Sequence, residues 1–239
     1  MTPQREHQQV SWCEGALLLG IDTCGPSGSA ALARLTGGEA EIIVQKELAG
    51  RSYSATLVAA VGELLSGAGA PLRQVEAIVA VNGPGSFTGV RVGLSAVKGL
   101  AEVFRTPVVA VSRLEVLAHK AGVGSSALDA HRQEVFLRLG GAEMEPRELL
   151  AGAAELAAIT PAPERIAVCD TAEQVLRVAW PGVELARVEA PTAADALRLC
   201  AERAARGEFV DLALLDGHYL RRSDAEIFGE PGAVRPGAK

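Results

Sequence analysis

The segment NGPGSFTGVRVG, residues 82–93, places four glycines and a proline where an apolar run meets a helical pattern. Such a junction serves as a phosphate cradle, a dinucleotide-binding turn, or a tight turn into a helix that another segment approaches closely. A Walker-type loop requires Gly, four residues, then Gly-Lys-Ser/Thr, because the lysine must reach the terminal phosphates. No lysine stands at that position, which removes the first option. Gly83, Gly85 and Gly89 give GxGxxxG between a strand and a helix, and Arg113 follows the next strand, where a 2′-phosphate could sit. The strict GxGxxG spacing fails, however, and three antiparallel strands precede the supposed first βα unit. A weak anion site at the helix start remains open, since exposed N–H groups at a helix N-terminus attract anions.

Upstream, ALLLGI (16–21) reads as a strand, CGPSG as a turn, and residues 29–35 as the returning strand. Gly37-Gly38 marks a second turn and residues 41–47 a third strand. Helical periodicity runs from Ser54 to about Ser66, with Pro71 closing the connection. VEAIVAV (75–81) is a continuous apolar run of the kind buried in parallel sheets. A helix from Ser86 to about Phe104 follows, stopped by Thr106-Pro107, and PVVAVS and residues 114–120 give another strand and a short helix. Near residue 125 the chain starts again with SSALDAHRQEVFLRLGG: a short apolar strand, an Asp, a polar turn and a return. Asp22 and Asp129 hold matching places in the two starts, which indicates duplication. Residues 145–160 and 191–206 read as helices, with RIAVCD (165–170) as a strand between them. The expected organisation is α/β, in two duplicated lobes of mixed sheet with packed helices. The first occupies 13–122 and an abbreviated second 123–228, with a polar leader at 1–12 and a tail at 229–239.

The helix after the glycine-rich turn is unusual. Arg91, Ser95, Lys98 and Glu102 form one narrow polar stripe, and nearly everything else is small or apolar. Gly93 and Gly99 fall in its interior, where each costs about 0.5–1 kcal/mol relative to Ala, a cost that usually marks close backbone approach. The helix at 54–66 is similarly apolar. One sheet face cannot easily cover two such helices, so their surplus predicts docking onto other helices, from this chain's second lobe or from another chain. The interface candidates are Leu57, Val58, Val61 and Leu65 on the first helix and Val90, Gly93, Leu94, Val97, Leu100 and Ala101 on the second. Leu94→Glu or Val97→Glu is then expected to weaken association while leaving the monomer folded.

Composition narrows the function. The 239 residues carry a net charge of −6, and the segment 13–124 is neutral, with nine basic and nine acidic residues. No electrostatic footprint for unaided nucleic-acid binding is present. Cys13, Cys24, Cys169 and Cys200 are widely spaced without CxxC, as expected of buried thiols in a reducing compartment. No signal peptide or membrane-length apolar run is evident, so a soluble cytoplasmic protein is expected. Asp22 and Asp129 could hold metal–nucleotide as in a kinase, with Thr23, Gly85 and Ser86 as further weak nucleotide contacts. No Gly-rich phosphate loop with a lysine follows either Asp, and each is better read as capping a turn at a strand end. His7, His119, His131 and His218 provide no i, i+4 metal pair. GxSxG is absent around Ser86, which reads as an N-cap.

LLLGIDTCGPSGSAAL, NGPGSFTGVRVGLSAVKGLA, PVVAVSRLEVLA, LDAHRQEVF and HYLRRSDAE resemble, in this order, the bacterial TsaB (YeaZ) family, with GPGSFTGVR (83–91) as the specific part. The resemblance implies the actin/Hsp70/sugar-kinase (ASKHA) fold. It also implies a role in making threonylcarbamoyladenosine at position 37 of tRNA, as the non-catalytic partner of the transferase TsaD, with the ATPase TsaE joining them. In the family the docking surface is formed mainly by the two first-lobe helices, here about 54–66 and 88–104, which also mediate self-association. The resemblance implies no cofactor or metal for this chain alone, ATP or ADP at the heterodimer boundary as a candidate ligand, and tRNA contact only through the complex. Many relatives have a His ahead of the first of these helices, where this chain reads Arg51-Ser52-Tyr53-Ser54. From the second lobe, whose middle is poorly matched, only Asp129 and Tyr219–Arg221 are carried over. The alternatives are an ATP-dependent small-molecule kinase of the same fold and a plain homodimeric scaffold.

Overall fold

A computed structural model describes residues 15–50, 52–141 and 144–221. The expected leader, the tail and Arg51 lie outside the described residues. The chain opens with an antiparallel meander, β1 (Leu17–Asp22), β2 (Gly28–Thr36) and β3 (Glu39–Leu48), followed by α1 (Tyr53–Gly67). β4 (Val75–Val81), α2 (Phe87–Phe104), β5 (Val108–Val111) and α3 (Arg113–Lys120) complete the first half. β4 and β5 add in parallel beside β1, giving the order β3-β2-β1-β4-β5. β1 and β4 are apolar almost throughout because they lie inside this sheet with helices on both faces.

The second half repeats the pattern with β6 (Ser126–Asp129), β7 (Val135–Gly141), β8 (Met144–Ala151), α4 (Ala153–Ala158), β9 (Arg165–Val168), α5 (Ala172–Ala179), β10 (Glu184–Arg187) and α6 (Ala193–Ala205). Its sheet has the order β10-β9-β6-β7-β8, so each strand has a counterpart in the first sheet. The duplication is therefore complete in the sheets, and the abbreviation lies in the helices. α1 and α2 have 15 and 18 residues, whereas α4 and α5 have 6 and 8.

Three expectations change. Residues 144–151 form the edge strand β8 rather than the start of a helix over 145–160, because pairing with β7 overrides the helical propensity of their Glu, Arg and Leu residues. Pro146 is tolerated because that strand lies at the sheet edge. α5 and β10 are additional elements, too short for a periodic signal. Finally, the helix read at 191–206 exists as α6 but packs on β1–β5, and its Ala193, Ala196, Leu197 and Cys200 join the first core. α3 makes the reciprocal exchange, placing Leu114 and Leu117 in a cluster with Leu128, Ala130, Phe136 and Ala167 of the second half. A boundary at 122/123 therefore does not separate the packing units. α3 and α6 cross it and meet each other through Lys120–Asp195 at 2.9 Å and the Glu115–Arg203 pair.

Candidate functional site

The glycine-rich junction is built around the loop that leaves β1. Ser86 caps α2, its Oγ accepting the Gly89 N–H at 3.2 Å. The β1–β2 loop lies directly on this helix start. Thr23 Oγ1 donates to the Gly89 carbonyl at 2.7 Å, and the Ser86 N–H donates to the Cys24 carbonyl at 2.8 Å. A Cβ at Gly89 would fall 2.1 Å from the Thr23 carbonyl oxygen, and one at Gly93 would fall 2.2 Å from Thr23 Oγ1. Glycine is required here by this chain's own loop, which corrects the expectation that Gly93 admits a partner helix. Gly99 differs, because nothing lies within 4 Å of where its Cβ would stand.

The predicted interface residues divide in the same way. Leu57, Val61 and Leu65 of α1 and Val90, Gly93, Leu94, Val97 and Ala101 of α2 are buried, and Leu100 is half-buried. Only Val58 is open, at 62% exposure. The two helices pack on each other and on the sheet, so their most apolar sides turn inward. Leu94→Glu and Val97→Glu would put a carboxylate into this core and unfold the lobe rather than selectively weaken association. The outward face consists of Ala55, Val58, Ala59 and Gly62 on α1 and Ser95, Gly99, Glu102 and Val103 on α2, with Val103 73% exposed. These residues are all exposed in the isolated chain.

Asp22 is 2% exposed and lies 3.3 Å from the Nε of Arg113, itself 5% exposed. Its other oxygen accepts the Cys24 N–H at 2.8 Å. Burial works against the Arg113 charge, but Asp22 outweighs it and holds the guanidinium above its ordinary pKa. Burial and the neighbouring Asp22 push the Cys24 thiol well up, so it is an inert core group. Arg113 is thus buried and paired, and each Asp22 oxygen already accepts one hydrogen bond from within the chain. Thr23 and Ser86 gather at this junction with their side-chain oxygens on Gly89, and Gly85 lies against the Cys24 carbonyl. These contacts give all three a structural role at the start of α2.

Asp129 sits in the second lobe's equivalent turn. It accepts the His131 N–H at 2.7 Å and the Thr171 hydroxyl at 2.5 Å, while its own N–H donates to Asp170. Burial raises its carboxyl pKa, but these hydrogen bonds more than reverse the effect and leave it lowered. His131, Arg132 and Gln133 follow in left-handed conformations, and the His131 side chain is exposed. Both aspartates cap the same turn, each accepting from the N–H two residues on. Among the described residues no group of three or more His, Cys, Asp and Glu could hold a metal ion.

A family model described as "TsaD: tRNA N6-adenosine threonylcarbamoyltransferase" matches residues 40–162, just over half of the chain. The protein is 38% identical over 125 residues to the tRNA threonylcarbamoyladenosine biosynthesis protein TsaB of Haemophilus influenzae, and 36% identical over 126 residues to that of Bacillus subtilis. The structure of YeaZ from Pseudomonas aeruginosa superposes with a TM-score of 0.70 at 31% identity, covering 86% of this chain and all of that one. The chain belongs to the TsaB/YeaZ family. The alignments take in 50% and 51% of this chain and 51% and 54% of the two curated relatives, so the chain spans about half the length of the curated relatives it matches. The two duplicated mixed sheets place it in the ASKHA class of α/β folds. Within this TsaB/YeaZ chain the TsaD-type match begins in β3 and ends beyond α4. It takes in the glycine-rich junction, both outer helices and the Asp129 turn, but not the Asp22 turn.

Sequence reasoning missed two contributors. Arg113 was weighed only as a phosphate ligand, although a lone Arg between an apolar strand and helix signals a buried ion partner equally well. Tyr53 is buried and donates its hydroxyl to the Gly25 carbonyl at 2.9 Å, pinning the same β1–β2 loop.

Proposed function

We propose that this chain is the non-catalytic subunit of the complex that makes N6-threonylcarbamoyladenosine at position 37 of tRNA. It binds and supports a TsaD-type transferase, with a TsaE-type ATPase joining them in the cytoplasm. The observation that carries this proposal is the uncovered outer face of α1 and α2, where Ala55, Ala59 and Gly62 let a partner helix approach and Val58 and Val103 supply apolar area. The same face is where a second copy would pair in the absence of the transferase. The bonded state of Asp22 supports a partner role over catalysis, since the acidic group a kinase of this fold would use is held by Arg113. No observation favours the kinase alternative. Acidic overall charge supports tRNA contact through the complex rather than through this chain. ATP or ADP, if it meets this subunit, does so at the boundary with the transferase. Among the described residues no helix is long and apolar enough to cross a membrane.

Reconstitution tests this. With the transferase, the ATPase, threonylcarbamoyl-adenylate and tRNA, modified nucleoside measured by mass spectrometry should appear only when this chain is added. Val58→Glu should fold normally yet abolish heterodimer formation in light scattering. Product formed equally without the chain would overturn the proposal.

A further inference from the structure

Beyond α6 the chain does not trail away but runs back across both lobes. The Val210 N–H donates to the Val108 carbonyl at the free edge of β5, at 2.9 Å. Leu215 is buried in the first core. The His218 N–H donates to the Asn82 carbonyl at 2.7 Å, at the mouth of the glycine-rich junction. Tyr219 packs on Phe87 with ring centroids 5.5 Å apart and accepts from Arg91 Nε at 3.2 Å, both on the first turns of α2. The segment then lands on the second lobe. Leu220 packs on the cluster formed by Leu128 and Phe136, and Arg221 donates to the Ala130 carbonyl at 2.8 Å and pairs with Glu134.

At the crossing point stands Glu148 of β8, whose side chain is 8% exposed. Its carboxylate accepts from the Ser112 hydroxyl at 2.6 Å, between β5 and α3. It also accepts from Arg138 Nη1 of β7 at 2.8 Å and lies 2.9 Å from His218 Nε2. One second-lobe carboxylate thus ties down the inter-lobe link and the returning segment together. Such an arrangement exceeds what covering a sheet edge requires, because Val210 and Leu215 already do that.

We propose that residues 208–221 form a clasp, latched by His218 on Glu148, that fixes the two lobes relative to each other and couples the start of α2 to the second lobe. Closed, the clasp spans from the end of β4 to the β6–β7 turn. Opening it frees Phe87 and Arg91, and with them the first turn of α2.

Amide hydrogen exchange on the full chain tests the clasp. His218→Ala and Glu148→Gln should each speed exchange of the amides at 210 and 218 about tenfold, the factor that a lost latch of this kind gives for local opening. Amides of β9 should keep their rates. Unchanged exchange at 210 and 218 in both variants would overturn the proposal. So would an equal rise through β9, which would make Glu148 merely a support of its own sheet. His218→Ala keeps the test decisive should Glu148→Gln fail to fold, because the imidazole is 38% exposed and its loss leaves no buried charge unpaired on the clasp itself.

Discussion

Asp22 and Asp129 close the same turn at the same place in two sheets of the same strand order, yet their surroundings are opposite. Asp22 lies under the β1–β2 loop against a buried guanidinium, whereas Asp129 stands at a half-open turn bonded to Thr171 and to backbone. The duplicated feature is the turn, which needs only a short acceptor at the strand end. What differs is the helix that follows. The 18-residue α2 brings its glycines against Thr23 and seals the first turn, while the 8-residue α5 leaves the second exposed. A duplicated fold can thus turn one copy of an acidic position into core and leave the other at the surface.

The contrast is sharpest in stability. Asp22→Ala strands the buried Arg113 charge and should cost about 3–5 kcal/mol in urea unfolding. Asp129→Ala removes hydrogen bonds at a half-open turn and should cost about 1 kcal/mol. Equal losses would erase the distinction between the two turns. Within α2, Gly93→Ala drives a methyl into Thr23 and should cost about 1–3 kcal/mol by overpacking. Gly99→Ala, on the open side, should stabilise by about 0.5–1 kcal/mol through helix propensity. If both substitutions destabilised alike, Gly99 would have to be packed against something.

The smallest effect concerns acid. Burial would raise the Glu148 pKa, but hydrogen bonds from His218, Ser112 and Arg138 outweigh it and leave the carboxyl lowered. Its contribution is therefore complete above its unfolded value of about 4.3 and is lost as pH falls through the lower folded value. Unfolding free energy followed from pH 6 down to pH 3 should fall less steeply in Glu148→Gln than in the parent chain. Identical slopes would show that its partners do not favour the carboxylate.

Much of the fold was legible. The run 75–81 is a strand at the bounds read from its apolar continuity, and both long helices end within a residue or two of the predicted positions. The restart near residue 125 was visible because an Asp and a polar turn recur after a short apolar strand. β8 was misread because Glu, Arg, Leu and Ala favour helix locally, and only pairing with β7 decided otherwise. Burial direction was the larger gap. Apolar content showed that α1 and α2 needed cover, but not that Leu57, Leu94 and Val97 would find it in their own lobe while Val58 and Val103 would not.

The sequence by itself determined the element order, the repeated strand–Asp–turn start, the Ser86 cap and the family resemblance, because each rests on residues close together in the chain. Only the tertiary structure decided that Arg113 neutralises Asp22, that α3 and α6 exchange lobes, and that Glu148 meets His218. Those contacts join residues separated by 70 positions or more, apart from the helix exchange. No local periodicity encodes them, and they exist only once two sheets and their helices have packed around one another.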